Sequence, residues 1–235
     1  MIDIHCHLLP CVDDGARSWD ITLEMCRLAE EDGVTHIVAT PHSNFEYHYD
    51  RELHSILLEE LRSRVPTLSF SLGCDFHLSY ENIEDALVHP KRYAIGDTRY
   101  LLVELSEFSA FKVTDSLYRL QTAGLVPIIT HPERNPAILG NPRLLGEFSD
   151  AGCLFQITAN SLTGFWGKPS RKLCESMLRK NMVHFIASDA HGLRGRPPLL
   201  SEALRAAAKI VGAEAAERLV VANPMAVIAN QYTSQ

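Results

Sequence analysis

The sequence predicts an α/β domain built on one parallel sheet, open or closed into a barrel. Three observations predict it. Short apolar runs alternate with helix-period patterns seven times along the 235 residues. No internal repeat, low-complexity tract or linker composition interrupts them, so 1–235 reads as a single domain. Finally, many of the 11 histidines gather with carboxylates just beyond the apolar runs, where parallel α/β folds assemble their sites.

The elements follow in order. Ile2–His5 is a short strand. Ser18 caps a helix with Ile21, Met25, Leu28 and Ala29 on one face, closed by Gly33. His36–Thr40 reads as a strand and Asp50–Arg64 as a helix. Leu68–Cys74 is the third strand, followed by a short helical patch at Glu81–Val88. Tyr100–Glu104 is a strand, then a helix runs to about Ala123 and is closed by Gly124. Val126–Thr130 is a strand, Pro142–Ala151 a helix and Leu154–Thr158 a strand. Ser170 caps a helix carrying Leu173, Met177 and Leu178, and His184–Ser188 is the seventh strand. Helices over Leu200–Val211 and Ala213–Val220 follow, with Asn223-Pro224 as punctuation.

Composition excludes several classes. Lys+Arg number 22 against 29 Asp+Glu, a net charge of −7, and there is no basic run, so nucleic acid is not the expected partner. No apolar run approaches about 18 residues, so no membrane span is expected. The start of the sequence shows no basic region followed by an apolar one, so no secretory signal is expected. Six cysteines without a C-x-x-C pair suggest reduced thiols and a cytoplasmic protein.

The chemistry sits at the strand ends. Strand one ends at His5-Cys6-His7, strand two at Thr40-Pro41-His42, strand three at Asp75-Phe76-His77 and strand four at Glu104. Strand five ends at His131 and strand seven at Asp189-Ala190-His191, while strand six offers only Gln156 and Asn160. Any one such histidine, taken singly, is more often satisfied by a neighbouring backbone group than bound to metal. Imidazoles or carboxylates at six of seven strand ends make a different case. This mixture suits zinc, manganese or iron, and it is too large for one ion, so a cluster of two or three is expected. Such clusters activate water and clamp a phosphoryl group. Arg134 and Arg196, close behind His131 and His191, could grip phosphate oxygens through paired N–H donors; a surface ion pair or a loop contact is the plainer reading of each.

His5-x-His7, Asp14 within Val12-Asp13-Asp14-Gly15, His42, Glu104, His131 and Asp189-x-His191 resemble the polymerase and histidinol phosphatase (PHP) superfamily of metal-dependent phosphoesterases. The chain is most similar there to the bacterial capsule and exopolysaccharide tyrosine-protein phosphatases, through Met1-Ile2-Asp3-Ile4-His5, His131-x-Glu133-Arg134, Ala187-Ser188-Asp189-x-His191 and Gly195-Arg196-Pro197-Pro198. The resemblance implies a distorted (β/α)7 TIM-like barrel holding three metal ions. It implies His5, His7 and Asp189 on the first ion, Glu104 and His131 on the second, and Asp14, His42 and His191 on the third. It implies a carboxylate bridging the first two, and Asp75 stands where this subfamily usually has Glu. Three divalent ions would outweigh the carboxylates of Asp14, Asp75, Glu104 and Asp189 and still attract a phosphate dianion.

The activity implied is hydrolysis of protein phosphotyrosine by a metal-bridged hydroxide. The implied partner is a bacterial tyrosine autokinase controlling polysaccharide export, and related enzymes suggest a homo-oligomer. The alternatives are a small-molecule phosphatase, such as one for histidinol phosphate, or a non-catalytic metal-binding subunit. His77 is expected to ligate metal or to hold Asp75, or else to face solvent. Cys11-Val12-Asp13-Asp14-Gly15-Ala16-Arg17 matches the C-x5-R pattern of cysteine-dependent phosphatases. Its two aspartates would repel phosphate and raise the thiol pKa, so Cys11 is expected to be a bystander.

Overall fold

The computed structural model describes residues 1–105 and 113–231. Its strands are β1 (Ile2–Cys6), β2 (His36–Ala39), β3 (His42–Ser43), β4 (Ser69–Leu72), β5 (Asp75–His77), β6 (Tyr100–Glu104), β7 (Val126–Thr130), β8 (Leu154–Thr158) and β9 (Phe185–Ala187). All pair in parallel, in the orders β1-β2-β4 and β3-β5-β6-β7-β8-β9. The last strand closes on the first: Asp189 N–H donates to His5 O at 2.8 Å, and His7 N–H to Ala190 O at 2.9 Å. The result is a distorted barrel of seven staves, the second and third each broken into two strands.

The breaks explain the distortion. The apolar run expected as one strand over Leu68–Cys74 stops at Leu72 and resumes as β5 beyond Gly73. A Cβ on Gly73 would lie 3.1 Å from both Ile95 Cγ1 and Val38 Cγ1, so glycine lets the chain bend against its neighbours. Pro41 breaks the second stave in the same way, lacking the N–H a ladder needs. Beyond the breaks β3 no longer pairs with β1. The Asp13 carboxylate occupies that seam, accepting from His42 N–H at 3.2 Å.

The surrounding helices are α1 (Trp19–Glu31), α2 (Arg51–Arg64), α3 (Tyr80–Val88), α4 (Val113–Thr122), α5 (Pro136–Gly140), α6 (Leu144–Asp150), α7 (Ala159–Thr163), α8 (Gly167–Arg179), α9 (Ser201–Val211), α10 (Ala213–Arg218) and α11 (Ala222–Ile228). Ser18, Asp50 and Ser79 cap the first three through side-chain oxygens. The helix expected to end near Ala123 is α4, described from Val113; residues 106–112 before it lie outside the described residues. Three expectations are corrected. The helix placed at Ser170 begins earlier, at Gly167. Asn223-Pro224 is the first turn of α11 rather than a break, since proline is tolerated there. The short helices α5 and α7 were not expected; one turn is too brief for a periodic signal.

Two apolar clusters hold the fold. The larger lies between barrel and helices and includes Phe76, Leu101, Leu117 and Phe155. The smaller takes Ile2, Ile4, Val38, Tyr100, Leu102, Ile128 and Phe185 from the strands and is joined by Val227 of α11. This second cluster fills one end of the barrel, which leaves the carboxyl ends of the strands for polar side chains.

Candidate metal centre

The register of β1 shifts between Asp3 and Cys6. Strict alternation would send His5 to the face opposite Ile4; the irregularity re-aims it into the interior. There His5 Nδ1 lies 2.8 Å from Gln156 Oε1, and His5 Nε2 lies 3.5 Å from Asp75 Oδ2 and 3.4 Å from Asp189 Oδ1. His7 Nδ1 is 2.8 Å from Asp13 Oδ2, and its Nε2 is 3.4 Å from the same Asp189 oxygen. His42 Nδ1 faces Asp75 Oδ2 at 3.2 Å, and its Nε2 faces Asp14 Oδ1 at 3.4 Å. His191 Nε2 also reaches Asp14 Oδ1, at 3.3 Å. Glu104 closes the far side, with Oε1 3.8 Å from His131 Nε2.

All nine residues singled out in the sequence therefore meet at one end of the barrel. Within them three groups have ligand atoms close enough to share an ion: His7, Asp14, His42 and His191; His5, His7 and Asp75; and His42, Asp75 and Glu104. Asp75 belongs to two groups although aspartate is one methylene shorter than glutamate. Its Oδ2 faces both His5 and His42, while Oδ1 accepts from the Thr130 hydroxyl at 3.4 Å. His77 is not turned toward Asp75. The ladder pairs His77 with Glu104, and His77 Nδ1 lies 3.3 Å from Glu104 Oε2.

Whether these side chains fit metal can be tested on their hydrogen bonds. His7 Nδ1 and His191 Nδ1 face oxygen acceptors, the Asp13 carboxylate and the Asp189 carbonyl. Both must carry their proton on Nδ1, which leaves Nε2 as a lone pair. By the same logic Gln156 Oε1 takes the His5 Nδ1 proton, and His5 Nε2 and His7 Nε2 lie only 3.1 Å apart. That close, the two nitrogens must share either a proton or a metal cation. His42 Nδ1 and Asp75 Oδ2 are both buried and without a hydrogen-bond partner. The donor set fits borderline divalent ions.

Electrostatics points the same way. Burial opposes charge on His5, yet the Asp75 and Asp189 carboxylates outweigh it and lift the imidazole to about 9. His42 is lifted to about 11 against burial by Asp14 and Asp75. Asp75 and Asp189 stay well below the usual carboxylate range despite burial, Asp75 chiefly through His5 and Asp189 chiefly through Arg134. Burial, aided by the Arg134 charge, drives His131 down, and burial beside His7 brings His191 to about 4. The cluster is thus a sink for positive charge. Two of its members also sit on strained backbone: His131 and Asp189 adopt left-handed φ of 34° and 51°, an arrangement held at a cost and typical of sites.

Arg134 Nη2 and Arg196 Nη2 converge on Asp189 Oδ2, at 2.7 and 2.6 Å. Both are partly buried, so neither is an exposed ion pair. A cleft of about 450 Å³ adjoins Arg134, which lines it with Glu104, His131, Leu105, Leu139 and Trp166 among others. A larger open groove of about 1080 Å³ beside α2 holds none of the candidate ligands. The guanidinium of its Arg51 is spent on the carbonyls of Arg92, Ala94 and Gly96.

Sequence reasoning missed Asp13 and Gln156 as supports. Asp13 was visible only as half of an Asp-Asp pair, and Gln156 as the strand end that lacked a charge. Cys11 is exposed, and its Sγ donates to Arg17 O at 3.1 Å. The loop amides that a thiol mechanism would need are turned elsewhere: Gly15 N–H to Asp13 Oδ1 and Ala16 N–H to His7 O.

Comparison with known proteins gives matches over most of the chain. The family model described as capsular polysaccharide synthesis, CpsB/CapC, matches residues 1–229. CapC of Staphylococcus aureus is 42% identical, over 86% of this chain and 81% of that protein. The tyrosine-protein phosphatase YwqE of Bacillus subtilis is 36% identical, over 91% and 86%. A chain from the crystal structures of YwqE and of CpsB from Streptococcus pneumoniae, described as unique metal-dependent tyrosine phosphatases, superposes with a TM-score of 0.90. It is 34% identical, covering 100% of this chain and 96% of that one. Dihydropyrimidinase from Brevibacillus agri shares the fold alone, at 11% identity and a TM-score of 0.61 over 97% of this chain and 70% of that one.

Proposed function

Because the chain belongs to the CpsB/CapC family of capsular polysaccharide synthesis, we propose that it is a metal-dependent protein-tyrosine phosphatase, a hydrolase of phosphotyrosine on protein. The observation that carries this reading is the convergence of imidazoles and carboxylates beside two arginines and a cleft. We propose His5, His7, Asp14, His42, Asp75, Glu104, His131, Asp189 and His191 as ligands of two or three ions of manganese, iron or zinc, with Asp75 shared. Such ions supply Lewis acidity, bringing the pKa of water toward neutrality and offsetting charge on phosphoryl oxygens.

The chain's own residues do the rest. Gln156 and Asp13 hold the His5 and His7 rings in one tautomer. Arg134 and Arg196 keep N–H donors beyond those spent on Asp189, enough to grip non-bridging phosphate oxygens as charge builds on them. A phenol leaves as a stabilised anion, so no side chain has to protonate it strongly.

The protein partner we propose is a bacterial tyrosine autokinase of polysaccharide export, met in the cytoplasm by a homo-oligomer of this chain. Supporting this are the family's role in capsule synthesis, the six free cysteines, and the absence among the described residues of a helix able to cross a membrane.

The test is chelation. Removing metal should abolish hydrolysis of p-nitrophenyl phosphate and phosphotyrosyl peptides, and manganese should restore it, while Cys11→Ser stays active. Full activity in metal-free protein, or a dead Cys11→Ser variant with intact metal content, would overturn the mechanism. Comparable kcat/KM on histidinol phosphate would move the substrate to a small molecule.

A further inference from the structure

The three residues between α7 and α8 carry an aromatic pair that the metal chemistry leaves unused. Phe165 and Trp166 meet edge to face with centroids 5.4 Å apart. The flanking glycines, Gly164 and Gly167, take left-handed φ of 102° and 85°, so the link turns sharply at each end. Asn160 Nδ2 donates to Gly195 O at 3.2 Å, and Phe165 packs against Gly195. This fastens the link to the loop bearing Arg196. Trp166 consequently lies beside both arginines, its ring centroid 4.8 Å from Arg134 Cζ and 5.7 Å from Arg196 Cζ.

The indole is neither buried in the core nor free in solvent. It is 39% exposed and shares the cleft of about 450 Å³ with Glu104, His131 and Arg134. A cleft of this size is in the range of small-ligand sites, about 300–1,000 Å³. Its other apolar lining is aliphatic: Leu105, Pro136 and Leu139. A phosphoryl group gripped by Arg134 can place its ester substituent against the indole, because guanidinium and indole are in contact. A phenyl ring there meets a large π surface. A serine or threonine ester has no ring, and its short side chain would have to draw peptide backbone into the cleft.

We infer that Trp166 is the residue that reads the leaving group, its indole forming the wall against which the phenyl ring of a phosphotyrosyl side chain packs. The inference rests on the phosphatase reading above and adds a specificity-determining contact to it. Aromatic pairs favour offset or edge-to-face contact, and one such contact changes affinity by about tenfold at most.

Inhibition by phenylphosphonate, a non-hydrolysable aryl mimic, is compared with inhibition by inorganic phosphate in the manganese-loaded enzyme. Trp166→Ala should weaken phenylphosphonate by about tenfold more than it weakens phosphate, and Trp166→Phe should recover most of the difference. Equal weakening of both inhibitors would mean that the indole only steadies the arginines, and the inference falls. A second measurement does not depend on turnover or on the alanine variant folding. The chain has two tryptophans, so in Trp19→Phe the emission is that of Trp166 alone. Phenylphosphonate should change that emission more than phosphate does, and an unchanged spectrum at inhibitory concentration overturns the assignment. A wild-type enzyme that hydrolyses no phosphate ester fails before any variant is compared, and takes both readings down together.

Discussion

Asp13 belongs to none of the three groups whose ligand atoms could share an ion, yet three contacts depend on it: the His7 ring at 2.8 Å, the Gly15 amide at 2.9 Å and the His42 amide at 3.2 Å. It fixes the tautomer of one candidate ligand and the backbone of another. Asp13→Ala should therefore weaken metal retention by about 10–100-fold while leaving the barrel folded, as read by competition against a calibrated chelator. His77→Ala should act in the same direction through Glu104, its neighbour in the ladder. Unchanged metal retention in the Asp13 variant would show that His7 needs no fixing. The ligand-type residues were legible in the sequence because they stand at the ends of apolar runs, except Asp14, which lies in the loop beyond β1 and came only with the family resemblance. Their supports were not, since Asp13 and Gln156 act through hydrogen bonds between remote positions, and a one-residue register can direct His77 to Glu104 instead of Asp75.

The loop carrying Asp13 and Asp14 packs so tightly on β1 that it admits only glycine at its turn. A Cβ on Gly15 would lie 2.1 Å from His7 O and 2.6 Å from His7 Cβ. Neither atom is the end of a flexible side chain, so the loop itself must move. Gly15→Ala should cost about 1–3 kcal/mol of stability, the scale of overpacking, and should lower metal content by displacing Asp14 from His42 and His191. Thermal melting and metal analysis on the same sample check both; a variant with normal metal content would show that the loop adapts. At this scale the strands and longer helices were legible from periodicity and caps. The two broken staves were legible only as punctuation, Pro41 and Gly73, because their second halves, His42–Ser43 and Asp75–His77, are too short to carry a periodic signal.

Taken whole, the metal-free barrel holds protons where cations would lie. His5 and His42 are lifted to about 9 and about 11 by the carboxylates around them. In the metal-free protein this attraction stabilises the fold fully below the unfolded histidine value of about 6.5 and is lost as pH rises through about 9 for His5 and about 11 for His42. Metal must displace those protons, so its affinity rises over the same interval. The manganese-induced increase in Tm should therefore grow from about pH 6 to about pH 9; at a hundredfold excess over Kd it corresponds to about 2.7 kcal/mol. An increase that shrinks with rising pH would contradict the assignment of His5 and His42. The closure of β9 on β1 also sets a time. A ribosome delivers His5 early and His191 only after every stave has been made, and the Asp189 N–H bond to His5 O joins the two. No nascent fragment can present the full set of donors, so the set is complete only after release of the last strand. Filling the centre then becomes a maturation step, governed by the ions a cell has to spare once translation of the barrel is over.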